Sequence, residues 1–227
     1  MLTSPNPLTY AALKTLINTS NQFFSMELNE STKLSKVRQE LLEHAKKSHL
    51  YKNVLDTKGH IVFGRGSDSA KILFIGEAPG FTENENGKPF VGRSGKLLEE
   101  WVKELGLGAE DYGVMNVVPI IPLSVEKKIR PPTEEEIKYF LPYTERMIEA
   151  ITPEVIVLLG KSAARALGKE VMKVGEVCEY LGMKLFFIYH PAYYLRNGAK
   201  GIGDLVNLKK LLAERKSEKK QTSLENF

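Results

Sequence analysis

The chain has 227 residues, 42% of them hydrophobic and 26% charged, so it can bury a sizeable core and fits one globular domain better than two. Its formal net charge of +4 and sequence pI of 8.9 permit an anionic partner without requiring one. The single cysteine, Cys178, excludes an intrachain disulfide and any cluster held by several cysteines. No apolar run of transmembrane length and no signal-peptide pattern is present, so a cytoplasmic protein is expected.

The first 50 residues are predicted to form a helical arm packed on the main domain, which is expected to span residues 51–212. Apolar residues recur at near-helical spacing over residues 9–17 and again over 33–50. A short strand is predicted at residues 60–64. A buried strand is predicted at residues 72–75, where four apolar residues stand together.

Downstream, predicted helices alternate with short, continuous apolar strands. Helices are predicted at residues 94–105, 133–150, 163–167 and 205–212, and strands at 112–118, 155–159 and 184–189. Thr133 is the expected N-cap of its helix, Pro142 is expected to kink or break that helix, and residues 119–133 are predicted to be a loop. This alternation predicts a three-layer α/β/α fold around a mostly parallel sheet, with the loops after the strands meeting at one edge.

One strand-to-helix connection, residues 76–95, combines a carboxylate, an aromatic residue and several glycines. Its first part, Gly76-Glu77-Ala78-Pro79-Gly80, predicts a stiff turn at the carboxyl end of a strand, where ligands of open α/β sheets bind. Phe90 follows, before a glycine-rich approach to a helix. From spacing alone, an ordinary loop with a solvated Glu77 is an equal alternative, and a core position is the favoured interpretation of Phe90.

Three motifs in this order resemble those of family 4 uracil-DNA glycosylases. They are residues 76–98, then Asn116-Val117-Val118, then His190-Pro191-Ala192 with Leu195-Arg196. The resemblance covers roughly residues 45–210. It implies a DNA repair enzyme that hydrolyses the N-glycosidic bond of uracil in DNA, with neither a metal nor a lysine Schiff base.

The resemblance implies a uracil pocket built from Gly76, Ala78, Phe90 and Asn116, with His190 as a catalytic residue. Phe90 offers a flat face on which a flipped pyrimidine can stack. The amide of Asn116 can pair with the N3–H donor and O4 acceptor of uracil, whereas cytosine presents the opposite pattern. An N–H of His190 would stabilise the developing uracil anion.

Two glutamates are predicted to line the same pocket. Glu77 would orient the attacking water or offset the charge of an oxocarbenium-like sugar. Glu83 stands where similar enzymes place a glutamate beside C5 of uracil, and there it would exclude the methyl group of thymine. How the two residues divide these roles stays open.

Two further segments are predicted to contact the DNA. Lys161 and Ser162, at a predicted helix start, suit a phosphate contact, and a plain helix cap is an equal alternative. By resemblance, Leu195 would insert into the duplex as an apolar wedge and Arg196 would grip phosphate. Tyr194, with its neighbour Tyr193, would share that contact.

The chain departs from the family at its iron–sulfur cluster. The positions aligned with the four cysteine ligands hold Ala45, Ser48, Ile120 and Phe140. None of them supplies a thiolate, so no cluster and no other cofactor is predicted, with apolar packing in its place. The loss leaves open a glycosylase for hypoxanthine or xanthine, or a DNA-binding module without catalysis.

The last segment, residues 213–227, is predicted to be a flexible, charged tail. Its end places Gln221, Leu224 and Phe227 as in the Gln-x-x-Leu-x-x-aromatic peptide that docks on archaeal and eukaryotic sliding clamps, although the usual second aromatic is missing. The tail therefore predicts a sliding-clamp partner, an archaeal source and a nucleoid-associated protein. The protein is otherwise expected to be a monomer.

Overall fold

A computed structural model of the chain describes residues 33–169 and 171–225, with side chains through residue 215. Within these residues, six strands form one sheet in the order β1-β3-β2-β4-β6-β5. The strands are β1 (Arg65–Gly66), β2 (Ile72–Gly76), β3 (Tyr112–Asn116), β4 (Val155–Leu159), β5 (Val177–Tyr180) and β6 (Met183–Ile188). The four inner strands run parallel and the two edge strands run antiparallel, which confirms the predicted mostly parallel sheet.

Helices cover both faces of this sheet. They are α1 (Lys33–Lys47), α2 (Tyr51–Thr57), α3 (Phe81–Asn86), α4 (Arg93–Glu104), α5 (Glu134–Ile151), α6 (Lys161–Ala166), α7 (Pro191–Arg196) and α8 (Val206–Glu225), with a 3-10 turn at Ile202–Leu205. Successive residues of a strand point to opposite faces. In β2, Leu73 joins the apolar layer formed with α1 and α5, and Phe74 joins the layer formed with α4 and α8. These two layers make the predicted α/β/α arrangement.

The N-terminal half of the predicted helical arm, residues 1–32, lies outside the described residues. The described part of the arm is α1, and it packs on α5. Leu34, Val37 and Leu41 are buried there at helical spacing, so the apolar stripe predicted from the sequence is the packing face.

Three local predictions differ from the structure. Residues 60–64 are not a strand, and the short strand begins at Arg65, because only Arg65–Gly66 pairs with β3. Residues 81–86 form helix α3 rather than a loop, since Gly80 and Glu83 together cap its first turn. Edge strand β5 was not predicted, because its residues are exposed or half-buried and lack a continuous apolar run.

Helix α5 begins as predicted and passes Pro142 without a break. The hydroxyl of Thr133 accepts a bond from the Glu136 amide at 3.2 Å, and the Glu136 carboxylate accepts one from the Thr133 amide at 2.8 Å. The predicted break at Pro142 is wrong, because the helix runs on to Ile151. Burial of its apolar face against α1 and the sheet outweighs the one backbone bond that proline cannot donate.

The predicted tail also differs. Helix α8 continues to Glu225, so the backbone at Gln221 and Leu224 is helical, while Phe227 lies outside the described residues. The segment is rich in lysine and glutamate, which favour helix. Neither α8 nor any other helix of the described part is both long and apolar enough to cross a membrane.

Candidate active site

The three motif segments meet at the carboxyl edge of the sheet. β2 ends at Gly76, which pairs directly with Asn116 at the end of β3. A Cβ atom on Gly76 would stand 2.6 Å from the Asn116 amide oxygen and 2.6 Å from the Phe90 ring. Only a glycine at position 76 therefore leaves room for both side chains against its backbone. The third segment enters from β6 and brings His190 within 5.5 Å of Phe90, measured between ring centroids.

Phe90 is a buried aromatic with an unusual backbone. Its φ of 54° lies in the left-handed region, which bulky residues seldom adopt. Its ring belongs to the apolar layer of α4 and lies at 36° to the His190 ring. The ring therefore packs in the core, as one interpretation of the sequence held, and its stacking on a base stays a prediction.

The connection that carries Phe90 is fastened by Glu83. One carboxylate oxygen accepts bonds from the amides of Val91 at 3.1 Å and Gly92 at 2.8 Å, and the other accepts from the amide of Gly80 at 3.2 Å. Glu83 therefore ties the beginning of the connection to its end. Its predicted exclusion of thymine stays a prediction, and holding Phe90 in place is an additional role that its contacts define.

A second brace, Arg65, was not anticipated from the sequence. Its guanidinium donates to the carbonyls of Pro89 at 2.9 Å and Phe90 at 3.4 Å, and to Glu99 at 2.5 Å. Because Arg65 lies on β1 beside β3, it joins the strand of Asn116 to the loop of Phe90. No sequence signal marks it, since an arginine in a two-residue edge strand looks like any surface arginine.

Replacing Arg65 by glutamine should lower kcat/KM of the reaction at this site about tenfold, because Phe90 loses charge-assisted bonds that hold its left-handed backbone. Steady-state kinetics measures this, and Arg38→Gln, which removes an exposed ion pair with Asp68, is the matched control. A lower melting temperature with unchanged kinetics would mean that Arg65 supports only the fold.

Asn116 places a hydrogen-bond acceptor next to Gly76 and Phe90. Its side chain is 5% exposed, and its amide oxygen is buried without a hydrogen-bond partner among the described residues. Buried polar atoms are nearly always paired. An acceptor left in this state beside Phe90 suits a ligand that donates an N–H.

His190 is a neutral donor with a defined tautomer. Its Nδ1 accepts a bond from the Ala192 amide at 3.1 Å, so the proton of the neutral ring is on Nε2. Burial, with the charge of Arg196 as a second cause, lowers the pKa of His190 from 6.5 to about 4. Gly160, at φ 96°, lets the end of β4 pack against it, since a Cβ there would stand 3.0 Å from the His190 Cβ.

Glu77 is a partly buried carboxyl at the same edge. Burial raises its pKa above 4.5, and interactions with Ser162 and Arg165 oppose this only in part. Its Oε1 is buried without a partner among the described residues. The neighbouring Ala78 is half-buried against the apolar layer of α1 and α5, and its predicted place in a uracil pocket stays a prediction.

Some of the side chains predicted to contact DNA are exposed, and others are buried. The prediction for Tyr194 is wrong: it is 5% exposed, its hydroxyl donates to Asp204 at 2.6 Å, and its ring packs edge-on against Trp101. Leu195 is half-buried against the same layer, while Arg196 is exposed. The short helix α7 causes this, because its helical period turns Pro191 and Tyr194 toward the core and Tyr193 and Arg196 toward solvent.

The remaining predicted contacts lie on α6. Lys161 is exposed at its first position, and Ser162 faces Glu77. Gln221 and Leu224 stand at the far end of α8, in the part whose side chains are not described. The structure therefore brings the segments that carry the predicted base-binding and catalytic residues to one edge of the sheet, and it packs Tyr194 in the core.

The positions of the family's cluster ligands do not fit an iron–sulfur cluster. Ala45, Ile120 and Phe140 are buried in one apolar layer, and the Ser48 hydroxyl accepts a bond from the Leu50 amide at 3.1 Å. Cys178 lies away on β5. In the described ranges, no group of three or more His, Cys, Asp or Glu side chains is placed to hold a metal ion.

Comparisons with known proteins agree with this fold. The family model of the uracil DNA glycosylase superfamily matches residues 63–216. The chain belongs to this superfamily.

Its relatives include three type-4 uracil-DNA glycosylases. The one from Archaeoglobus fulgidus is 41% identical over 152 residues, which cover 61% of this chain and 74% of the relative. The one from Thermotoga maritima is 39% identical over 65% of this chain and 78% of its own length. The one from Sulfurisphaera tokodaii is 34% identical over 80% of both chains.

Proposed function

We propose that this protein is a monofunctional uracil-DNA glycosylase that hydrolyses the N-glycosidic bond of uracil in DNA. The observation that carries the proposal is the buried, unpartnered amide oxygen of Asn116, set against the rings of Phe90 and His190. Uracil presents an N3–H donor to that oxygen and an O4 acceptor to the amide NH2. Cytosine would leave the buried amide oxygen unpaired, and this mismatch excludes it.

The base is held outside the duplex during the reaction. Phe90 stacks on the ring of the extruded uracil and Asn116 pairs with its edge. His190 donates its Nε2–H to O2, where negative charge develops as the bond from N1 to C1′ breaks. A neutral imidazole serves this purpose because its pKa of about 4 keeps it uncharged at neutral pH.

Water supplies the second half of the reaction. As the bonding electrons leave with uracil, C1′ becomes oxocarbenium-like, and the ionised Glu77 stabilises that charge and orients the water oxygen toward C1′. The water oxygen bonds to C1′, the proton it loses passes through solvent to the departing uracil anion, and free uracil and an abasic sugar remain. Partial burial strengthens the electrostatic effect of Glu77.

The test is base release from a labelled oligonucleotide with a single uracil, single-stranded or opposite guanine or adenine. Hypoxanthine and thymine oligonucleotides serve as controls, and alkali cleavage reports abasic sites. Release from uracil alone is expected. Release from hypoxanthine instead would indicate a changed specificity, and binding without any release would indicate a DNA-binding module.

We further propose that the protein works without an iron–sulfur cluster or another cofactor. Close apolar packing of Ala45, Ile120 and Phe140 occupies the region that the cluster ligands would border. Iron analysis of the purified, active protein is the measurement, and stoichiometric iron with visible cluster absorbance would contradict this.

The C-terminal peptide supports a proposal for a sliding-clamp partner, with the protein acting as a monomer at the nucleoid. Gln221, Leu224 and Phe227 supply the spacing of a clamp-binding peptide. Deleting residues 220–227 should abolish clamp binding in a pull-down and leave uracil release from free oligonucleotides unchanged. Loss of uracil release would show that this end of α8 belongs to the catalytic fold.

A further inference from the structure

A short hairpin follows the strand of Asn116 and ends in a fully exposed valine. Leu123 and Ile129 bridge its two arms, and the Ser124 amide donates to the Lys128 carbonyl at 2.8 Å. Val125, at the tip, is 98% exposed. Nothing in the fold of the described residues requires an apolar side chain there.

The hairpin has a rigid base. The Arg130 amide donates to the Pro122 carbonyl at 3.1 Å, and the Arg130 guanidinium grips both oxygens of Glu136 at 2.8 and 2.5 Å. Glu136 is buried and also caps α5. The tip is therefore held out by a network of bonds, which lowers the conformational entropy lost when it binds a partner.

The hairpin borders the loop that carries Glu77. A Cβ on Gly80 would lie 3.9 Å from Cδ1 of Ile129, so the two segments touch. Ile129 and Phe81 are both exposed, Phe81 follows Gly80 directly, and Val125 precedes Ile129 by at most about 14 Å of chain. We name these three exposed apolar residues, which lie on two segments that touch, the rim.

Two features of the rim match duplex DNA rather than an apolar protein surface. Lys127 and Lys128 flank the tip and are exposed; Lys127 lies 3.9 Å from Asp56 and keeps most of its side chain in solvent. The one acidic residue of the tip, Glu126, is held by the Ser124 hydroxyl at 2.8 Å. An apolar side chain between lysines can enter a base step while the lysines meet phosphates.

Leu195, which the family resemblance implies as the wedge, is also less exposed than expected. Leu195 is half-buried against the apolar layer under α7. A glycosylase that extrudes a base from a duplex leaves a gap in the base stack. A protein side chain must fill this gap or open a neighbouring base step.

We propose that the hairpin is a duplex-contacting element in which Val125 enters the base stack beside the extruded uracil. This inference rests on the proposed function. It predicts a specific role on double-stranded DNA, because a single strand has no stack to open.

The experiment compares Val125→Ala and Val125→Asp with the unaltered protein on single-stranded uracil and on uracil opposite guanine, under single-turnover conditions. Val171→Ala and Val171→Asp are matched controls, since Val171 is 86% exposed on another loop. The Val125 variants should lose about tenfold or more in rate on the duplex and less than about threefold on the single strand. Lys128→Gln should weaken the salt dependence of duplex binding by about one counterion.

Equal losses on both substrates, or losses equal to those of the Val171 controls, would overturn the hairpin proposal. Circular dichroism of each variant identifies a loss due to misfolding, and in that case Val125→Thr, which keeps the shape of valine, must show the duplex-specific loss. Absence of uracil release by the unaltered protein would instead overturn the proposed function, and this inference with it.

Discussion

Replacing Asn116 by alanine should lower kcat/KM for uracil release by roughly a thousandfold. The change removes both hydrogen bonds to the uracil edge, and each such buried bond contributes about 2 kcal/mol when its loss leaves the partner unpaired. Asn116 is 5% exposed and lies with Phe90 against Gly76, so little solvent reaches the amide. Single-turnover release of uracil from a single-stranded oligonucleotide measures the effect without the cost of opening a duplex.

Asn53 provides the control for this change. Its amide donates to the Ile121 carbonyl at 2.8 Å, away from the pocket, so Asn53→Ala should affect stability and leave the rate within about threefold. Loss of activity in both variants would trace the effect to the fold. Full activity of Asn116→Ala would overturn the assignment of the base-binding edge.

Replacing Glu77 by glutamine should lower the rate of uracil release by about two to three orders of magnitude, because the neutral amide cannot offset the charge that develops on the sugar. Glutamine keeps the size of the side chain, so Phe90 and Asn116 should stay in place. The measurement is single-turnover base release at pH 7 with binding to an uncleavable substrate as a check. A small change in rate with unchanged binding would remove Glu77 from the chemistry.

The pH dependence gives a second readout for Glu77. Burial raises its pKa, so the active, ionised form is lost as pH falls through a value above 4.5, and kcat/KM should show an acidic limb there. His190 adds no limb near 6.5, because its pKa of about 4 leaves it neutral throughout that range. The limb should disappear in Glu77→Gln. A limb that persists in this variant would assign the titration to another group.

Glu77→Gln should raise the stability of the fold at pH 7 although it lowers the activity. A carboxyl with a raised folded-state pKa stabilises the fold below its unfolded pKa, and this contribution is lost as pH rises through the folded pKa. At pH 7 the ionised Glu77 therefore costs stability, and Glu77→Gln should melt at a higher temperature than the unaltered protein. Below about pH 4 the two should converge, because the carboxyl is protonated in both states.

The central architecture was predictable from local sequence. Continuous apolar runs at residues 72–75 and 155–159 predicted buried parallel strands, since both faces of such strands meet helices. Thr133 followed by Glu136 predicted the start of α5. The elements that were missed, α3 and β5, are short and lie at an edge or a connection, where local pattern is weakest.

The chemistry of the candidate site residues could also be predicted from the sequence. Their residue types limit the chemistry: Asn116 offers a paired donor and acceptor, Phe90 a stacking face and His190 an N–H. The four positions without cysteine predicted the apolar packing that surrounds Ile120 and Phe140. Parallel strands place their carboxyl ends at one edge, so convergence of the three motifs followed from the fold class.

The sequence by itself determined the fold class, the superfamily motifs and the chemical groups available for a reaction on uracil. Only the tertiary structure decided that Tyr194 belongs to the core, that Arg65 and Glu83 hold Phe90, that His190 is neutral, and that Val125 stands exposed at the rim. The physical reason is that burial, hydrogen-bond partners and pKa values depend on contacts between residues distant in sequence. The amide of Val91 donates to Glu83, eight residues away in sequence, and Arg65 donates to the Pro89 carbonyl. No local sequence pattern predicts either hydrogen bond.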